Sequence, residues 1–223
     1  MTLKFNPLTW FVRKQAWRWG IDVCTFPNVA ALLKECDLVI DAGASDGDSR
    51  DWFRLLGYRG RIVSFEPVPE VYEKLIQRLD DKWERHPYCL SDVERDVEFH
   101  VRSGNHQTSG IQPSDEPGEI VRLRTQRLDS LLSKEAAKTI LLKVDCEGHD
   151  LAVVRGAKNL LPRVRTILME VATMPRYEGE PDFAEVTAEM KKLGFRVSCC
   201  LGNQFAGDNR RSGALEMIFE PIL

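Results

Sequence analysis

The sequence has no long hydrophobic run and no large excess of charge of either sign, and these absences exclude several classes of protein. No stretch approaches the ~18 consecutive apolar residues of a membrane-spanning helix. The N-terminal apolar stretch is interrupted by Arg13 and Lys14, which argues against a signal peptide. The 31 basic and 34 acidic residues leave a formal net charge of −3. The sequence therefore does not predict a nucleic-acid-binding protein.

The six cysteines include no C-x-x-C pair of the kind that holds zinc or an iron–sulfur cluster, or that carries out redox chemistry. We therefore expect reduced thiols, most of them buried, in a cytoplasmic protein. The chain has 223 residues, of which 43% are hydrophobic and 29% charged, which is typical of one globular domain with a sizeable core.

The first 20 residues hold three of the five tryptophans and four basic residues but no acid. One apolar stripe has helical spacing: Leu8, Val12, Ala16 and Trp19. Two interpretations stay open, since such a helix either packs on the domain or lies peripherally on a membrane surface or a partner protein. We expect residues 1–37 to form an N-terminal helical segment and residues 38–223 to form the main domain.

Strand-like and helix-like segments alternate along the main domain, which predicts an α/β fold with a mostly parallel, doubly wound sheet. The parallel strands are expected at 38–40, 61–65, 88–90, 140–145 and 166–171, with helical periodicity clearest at 151–161 and 183–193. Alternating segments at 97–101 and 120–124 predict an inserted β-hairpin, and 195–200 with 215–219 predict an antiparallel edge pair. The main sheet therefore has seven predicted strands.

Two loops are candidates for a cover over a bound substrate. The polar stretch 102–119, which includes His106 and Ser109, is long enough to be a functional flap. The loop 173–181 carries Arg176 and Tyr177.

Polar side chains follow the predicted strands at their carboxyl ends, where open α/β sheets bind ligands. They are Asp41, Glu66, Ser91, Asp92, Lys143, Asp145 and Glu170. Buried carboxylates cost desolvation energy unless a donor meets them, so this pattern indicates a ligand rich in hydroxyl and ammonium donors.

The loop 41–47 and the acidic residue that follows the next strand are the sharpest of these signals. Gly43 and Gly47 permit a tight bend that brings backbone N–H groups close to a ligand. Glu66 lies 25 residues beyond Asp41, and from such a position an acidic residue accepts hydrogen bonds from a ribose diol in dinucleotide-binding folds.

Three chemistries compete for this loop. An NAD(P) site is disfavoured because the full G-x-G-x-x-G and a Y-x-x-x-K pair are both missing. A hydrolase is suggested by G-x-S-x-G at 43–47, but only about 40 residues precede it and Glu66 would have no role. The third is S-adenosyl-L-methionine.

Motifs from residue 39 to residue 170 decide in favour of the third. They are V-I-D-A-G-A-S-D-G at 39–47, S-F-E-P-V-P at 64–69, L-S-D at 90–92, L-D-S-L at 128–131, L-K-V-D-C-E-G-H-D at 142–150, G-A at 156–157 and M-E at 169–170. In order and spacing they resemble the FkbM-type methyltransferases, a branch of the class I S-adenosylmethionine-dependent O-methyltransferases. Ser45 and Asp150 depart from the family pattern, which usually shows Asn and Glu there.

The resemblance implies a Rossmann-like methyltransferase fold, S-adenosyl-L-methionine as cofactor, and an acceptor hydroxyl on a sugar, glycan or secondary metabolite. It implies that the 41–47 loop surrounds the methionine end, that Glu66 holds the ribose, and that Ser91 or Asp92 approaches the adenine. The expected cofactor-binding residues are Asp41, Ala42, Gly43, Ser45, Gly47, Glu66, Pro67, Ser91, Asp92 and Asp145. A non-catalytic cofactor-binding or membrane-tethering protein of a biosynthetic complex is the alternative function.

Methyl transfer to a hydroxyl needs aligned reactants and a nearby base. The candidate catalytic residues cluster beyond one strand end: Lys143, Asp145, Glu147 and His149. His149 is the natural base because its unperturbed pKa lies near neutrality, although a helix-cap or surface histidine is an equal alternative. Lys143 either neutralises its acidic neighbours or orients an anionic substrate, and Glu147 is either catalytic or a helix cap. Asp145 with Glu170 lacks a defined third ligand, so no metal is predicted.

Overall fold

The structure is a computed structural model, which describes residues 29–102, 108–111, 117–206 and 211–222. The predictions for residues 1–20 and for His106 lie outside the described residues. In the described part of the predicted N-terminal segment, residues 29–34 form a helix that buries Val29 and Leu33.

In the described part of the chain, ten strands alternate with short helices. The strands are β1 Leu38–Ala42, β2 Arg61–Phe65, β3 Trp83–His86, β4 Cys89–Leu90, β5 Asp96–Arg102, β6 Gly118–Gln126, β7 Ile140–Val144, β8 Val164–Ala172, β9 Phe195–Ala206 and β10 Arg211–Pro221. The α-helices are α1 Val29–Lys34, α2 Asp48–Leu55, α3 Pro69–Leu75, α4 Leu128–Leu131, α5 Asp150–Arg155 and α6 Phe183–Lys192, and Leu161–Arg163 is a 3₁₀ turn.

The predicted seven-stranded sheet is confirmed. Its order is β3-β2-β1-β7-β8-β10-β9, in which β1, β2, β3, β7 and β8 pair in parallel. The strands β10 and β9 add the predicted antiparallel pair, and β5 with β6 forms the predicted inserted hairpin. A second sheet has the order β4-β6-β5.

Helices cover both faces of the main sheet, as a doubly wound fold requires. Alternate residues of β1 point to opposite faces. Leu38 and Ile40 belong to one apolar cluster with Val153 of α5 and Met190 of α6. Val39 belongs to a second cluster with residues of α1 and α2. Within the described residues, no helix is both long and apolar enough to cross a bilayer.

The sequence prediction is wrong about the third strand of this sheet. The strand beside β2 is β3, at residues 83–86, whereas Cys89 and Leu90 pair with β6 in the small sheet. Trp83 is the only buried residue of β3, because an edge strand buries few side chains. The Trp83 ring is covered by the guanidinium groups of Arg50 and Arg85, which lie 4.4 and 4.8 Å from the ring centroid. A search for apolar runs therefore misses it.

The helix predicted at 151–161 is also too long, since α5 ends at Arg155. Gly156 follows, and a Cβ there would lie 2.2 Å from the backbone oxygen of Ser91. The helix therefore ends where the backbone at Gly156 packs against Ser91, which directly follows β4.

Candidate active site

A cavity of about 400 Å³ lies at the carboxyl ends of β1, β2 and β7. We call it the strand-end cavity. These strands are parallel and adjacent, so the residues that follow them meet at one edge of the sheet. The volume is in the range of small-molecule binding sites.

Eight of the predicted site residues line the strand-end cavity and five do not. Those that line it are Gly43, Ser45, Glu66, Pro67, Lys143, Asp145, Glu147 and His149. Those that do not are Asp41, Ala42, Gly47, Ser91 and Asp92. Gly47, with φ of 94°, precedes α2 and faces the side chains of Arg78 and Trp83, so the structure gives it a place in packing.

The turn after β1 brings backbone against backbone. Gly43 has φ of 80°, and a Cβ on it would lie 1.8 Å from the carbonyl oxygen of Asp145. The N–H groups of Gly43 and Ala44 both donate to the carbonyl oxygen of Phe65, at 3.1 and 3.0 Å. Only glycine permits this approach, which closes one wall of the strand-end cavity.

Glu66 is fixed at the end of β2 by two backbone donors. Its Oε2 accepts from the N–H of Ser45 and its Oε1 from the N–H of Val68, each at 2.8 Å. The residue is 5% exposed, and burial raises the pKa of Glu66 to about 7 against the effect of these donors. Each carboxylate oxygen retains a further lone pair, so Glu66 can accept a pair of hydroxyl donors from the cavity.

Lys143 joins β1, the Gly43 turn and the end of β7. Its Nζ donates to the carbonyl oxygen of Gly43 at 2.9 Å and lies 3.4 Å from both Asp41 Oδ1 and Asp145 Oδ2. Burial lowers the pKa of Lys143, but the carboxylates of Asp145 and Asp41 outweigh it and raise the pKa above its usual value. Lys143 therefore stays protonated and acts as a structural cation, which favours the first of its two predicted roles.

Asp41 forms an ion pair with Lys143 from within the sheet. Its side chain is fully buried, and its Oδ2 accepts from the hydroxyl of Ser64 at 3.0 Å. The Ser64 hydroxyl in turn accepts from Trp83 Nε1 at 2.8 Å. Asp41 can therefore influence a ligand through Lys143, whereas the carboxylate of Asp145 faces the cavity directly and is 42% exposed.

His149 occupies the residue before α5, and its ring forms part of the cavity wall. Its Nε2 lies 2.9 Å from the hydroxyl of Ser91. Burial lowers the pKa of His149, which makes the imidazole a weaker base. Ser91 thus reaches the cavity only through His149, while Tyr88, Cys89 and Leu90 line it directly. The predicted adenine contacts of Ser91 and Asp92 stay predictions.

Three carboxylates that line the cavity lie close together beyond β7 and late in β8. Asp145, Glu147 and Glu170 each have an oxygen atom within 4.8 Å of the others. The sequence indicated Asp145 with Glu170 as a pair without a third ligand, and Glu147 only as a catalytic residue or a helix cap; the approach of Glu147 to the pair depends on the loop after β7. The guanidinium of Arg176 hydrogen-bonds to Glu170 and lies 3.7 Å from Glu147. Arg176 therefore supplies the positive charge that such a cluster needs.

Comparisons with known proteins show which family the chain is similar to. A family model described as "Methyltransferase FkbM domain" matches residues 41–197. The 2-O-methyltransferase NoeI of Sinorhizobium fredii is 25% identical over 172 residues, 69% of this chain and 71% of that protein. The hexuronic acid methyltransferase AglP of Haloferax volcanii is 27% identical over 158 residues, 64% of this chain and 60% of that protein. A solved TehB-like SAM-dependent methyltransferase from Corynebacterium glutamicum, 12% identical, gives a TM-score of 0.43 over 97% of this chain and all of that one.

Proposed function

The chain belongs to the FkbM methyltransferase family, and from this premise we propose that it transfers a methyl group from S-adenosyl-L-methionine to a hydroxyl of a sugar or glycan. The observation that carries the proposal is Glu66, a buried carboxylate held by two backbone donors at the end of β2. The names of the two relatives, a 2-O-methyltransferase and a hexuronic acid methyltransferase, support a sugar-type acceptor.

The residues of the strand-end cavity fit this cofactor. Glu66 would hold the ribose hydroxyls, because its oxygens keep lone pairs on the cavity side. Asp145 would accept the ammonium group, since its carboxylate is partly exposed and fixed by Lys143. The Gly43 turn packs directly against the backbone of Asp145, with no space for a side chain, and so would fix the cavity wall beside the methionine end of the cofactor. When bound, the cofactor supplies a methyl group activated by positively charged sulfur.

The protein's own contribution to the reaction is position and charge. Methyl transfer is an in-line displacement, and holding the reacting atoms about 3–3.5 Å apart removes several kcal/mol from the barrier. Glu66 and the Gly43 turn fix one reactant at the sheet edge. Glu147, Glu170 and Arg176 line the same cavity and would face the acceptor.

Formation of S-adenosylhomocysteine is the direct test. The purified chain is incubated with S-adenosyl-L-methionine and a panel of methyl glycosides of neutral hexoses and hexuronic acids, and both products are measured by mass spectrometry. The proposal predicts S-adenosylhomocysteine and an O-methylated glycoside in equal amounts. Cofactor binding without turnover on any hydroxylated acceptor would instead favour the non-catalytic alternative.

A further inference from the structure

We propose that Glu147 is the general base that takes the proton of the acceptor hydroxyl, and that Tyr177 and Arg102 position its carboxylate. The inference rests on the proposed function. Its evidence is the geometry of one side of the strand-end cavity, where the loop after β7 meets the loop after β8.

The backbone of Glu147 is held in an unusual conformation. Its φ is 49°, in the left-handed region that residues with a side chain rarely adopt, and Gly148 follows with φ of 84°. Such conformations persist only where the surrounding structure enforces them, and they cluster at functional sites. Here the bend turns the Glu147 side chain, which is 13% exposed, into the cavity wall.

A chain of two side chains holds one oxygen of this carboxylate. The hydroxyl of Tyr177 donates to Glu147 Oε2 at 2.7 Å. Arg102 Nη1 donates to the same hydroxyl oxygen at 3.2 Å, and the Arg102 guanidinium lies 4.6 Å from the centre of the Tyr177 ring. Arg102 lies at the end of β5 and is 1% exposed, so the inserted hairpin holds this row of hydrogen-bonded side chains in place. Among the described residues, none donates a hydrogen bond to Oε1 of Glu147, which leaves that oxygen for the acceptor.

Burial and the neighbouring carboxylates raise the pKa of Glu147, which makes it a stronger base than an ordinary carboxylate. Burial is the largest influence and raises the pKa of Glu147 to about 7. Asp145 and Glu170 raise the pKa as well, whereas the Tyr177 hydrogen bond and Arg176 lower it. A base whose pKa lies near the working pH combines a useful fraction of the ionised form with good proton affinity.

The other predicted catalytic residues suit the role less well. His149 uses Nε2 in its contact with Ser91, and burial lowers the pKa of its ring. Lys143 stays protonated between two carboxylates. Asp145 lies 3.4 Å from the Lys143 ammonium group, and the proposed function assigns its carboxylate to the ammonium group of the cofactor.

The proposed step balances. The acceptor oxygen forms a bond to the methyl carbon while the carbon–sulfur bond breaks and leaves its electron pair on sulfur. The acceptor proton passes to Oε1 of Glu147, which becomes a neutral carboxylic acid and later loses the proton to water. Tyr177 keeps its own proton throughout and acts as a positioning residue.

The first test needs no acceptor. Glutamate side-chain carbons are followed by NMR from pH 5 to 9 in the full chain, and the Glu147 signal is the one that Glu147→Gln removes. We expect it to titrate near pH 7 in the wild type and at higher pH in Tyr177→Phe, because the hydrogen bond that favours the carboxylate is lost. A Glu147 that titrates near pH 4.5, or does not respond to Tyr177→Phe, would overturn the assignment.

The second test uses the turnover assay described above, at saturating cofactor, with the glycoside that the wild type methylates. Glu147→Gln should reduce kcat by about 10²- to 10⁴-fold and abolish the rise of kcat with pH. Tyr177→Phe should keep this rise but move it to higher pH, and His149→Asn should retain it unchanged. Glu73→Gln removes the same charge from an exposed position of α3, outside the lining of the strand-end cavity, and should match the wild type.

Calorimetric titration with S-adenosyl-L-methionine separates the two proposals. Unchanged cofactor affinity in Glu147→Gln, together with lost turnover, supports the role of Glu147. A Glu147→Gln variant with wild-type kcat and the wild-type pH profile refutes it while leaving the proposed function intact. If the wild type does not turn over at all, the proposed function fails, and the NMR titration still decides whether Tyr177 controls Glu147.

Discussion

Substitution of Gly43 by Ala tests the turn on which the strand-end cavity depends. The new Cβ would lie 1.8 Å from the carbonyl oxygen of Asp145, so the two backbones must separate by more than 1 Å to reach the 3.0 Å that real contacts respect. The φ of 80° adds about 1–2 kcal/mol for a residue with a side chain. Separation also strains the hydrogen bonds from Asp145 to Ala42 and from Gly43 to Phe65, each worth about 0.5–1.5 kcal/mol. The loss in free energy of unfolding should therefore total about 2–5 kcal/mol.

Gly57 provides the matched control. Its φ is 90°, but a Cβ there meets no atom within 4 Å, so Gly57→Ala should cost only the conformational part, about 1–2 kcal/mol. Urea unfolding gives both values, and calorimetry gives the affinity for S-adenosyl-L-methionine. We expect Gly57→Ala to bind the cofactor normally and Gly43→Ala to bind it at least tenfold more weakly. Equal destabilisation and equal affinity in the two variants would refute the close approach.

Four further predictions follow from the charges of the site. Cofactor affinity should rise between pH 6 and pH 8, because the pKa of Glu66 is about 7 and hydroxyl donors favour its ionised form. Because burial raises the pKa of Glu66 from 4.5 to about 7, the wild type should lose stability relative to Glu66→Gln as the pH rises from about 4.5 to about 7, and the difference should stay constant at higher pH; urea unfolding at several pH values measures this. A chelator such as EDTA should leave the initial rate unchanged, because Arg176 already supplies the positive charge of the carboxylate cluster, and a rate restored only by a divalent cation would contradict this. Lys143→Met should lower the free energy of unfolding by about 3–5 kcal/mol by leaving the carboxylate of Asp41 buried without a cation, and a loss under 1 kcal/mol would disprove the pairing.

The parallel sheet was predictable because strands buried on both faces are apolar throughout. Every residue of β1 and of β7 is buried, and both are short runs of Val, Leu and Ile with one polar residue near the end. The edge strand β3 was not predictable in this way. Its Trp83 is covered by arginine side chains that are distant in sequence, so the local pattern carries no sign of burial.

The part of the site that we propose binds the cofactor was predictable from the same topology. Glu66 and the Gly43 turn come directly after strands, and parallel pairing fixes where strand ends lie. The sequence order therefore sufficed to place them together.

The part of the site that we propose binds the acceptor depends on contacts between loops. Tyr177 is 30 residues from Glu147 and 75 from Arg102, and no periodicity connects them. The preference for His149 as the base rested on its unperturbed pKa, which burial in the structure lowers. The positive φ of Glu147, which turns its side chain into the cavity, has no signal in a single sequence beyond the glycine that follows it.

Calorimetric titration of S-adenosyl-L-methionine into the wild type, Glu66→Gln and Glu70→Gln tests the central claim most directly. Glu70 is exposed on α3, four residues from Glu66, and its change to Gln removes the same charge. The account predicts binding by the wild type and by Glu70→Gln with equal affinity, and a Kd about 10- to 100-fold higher for Glu66→Gln, since hydrogen bonds to a charged group contribute about 1.5–3 kcal/mol. A wild type that does not bind the cofactor, or a Glu66→Gln variant that binds it as tightly, would contradict the account.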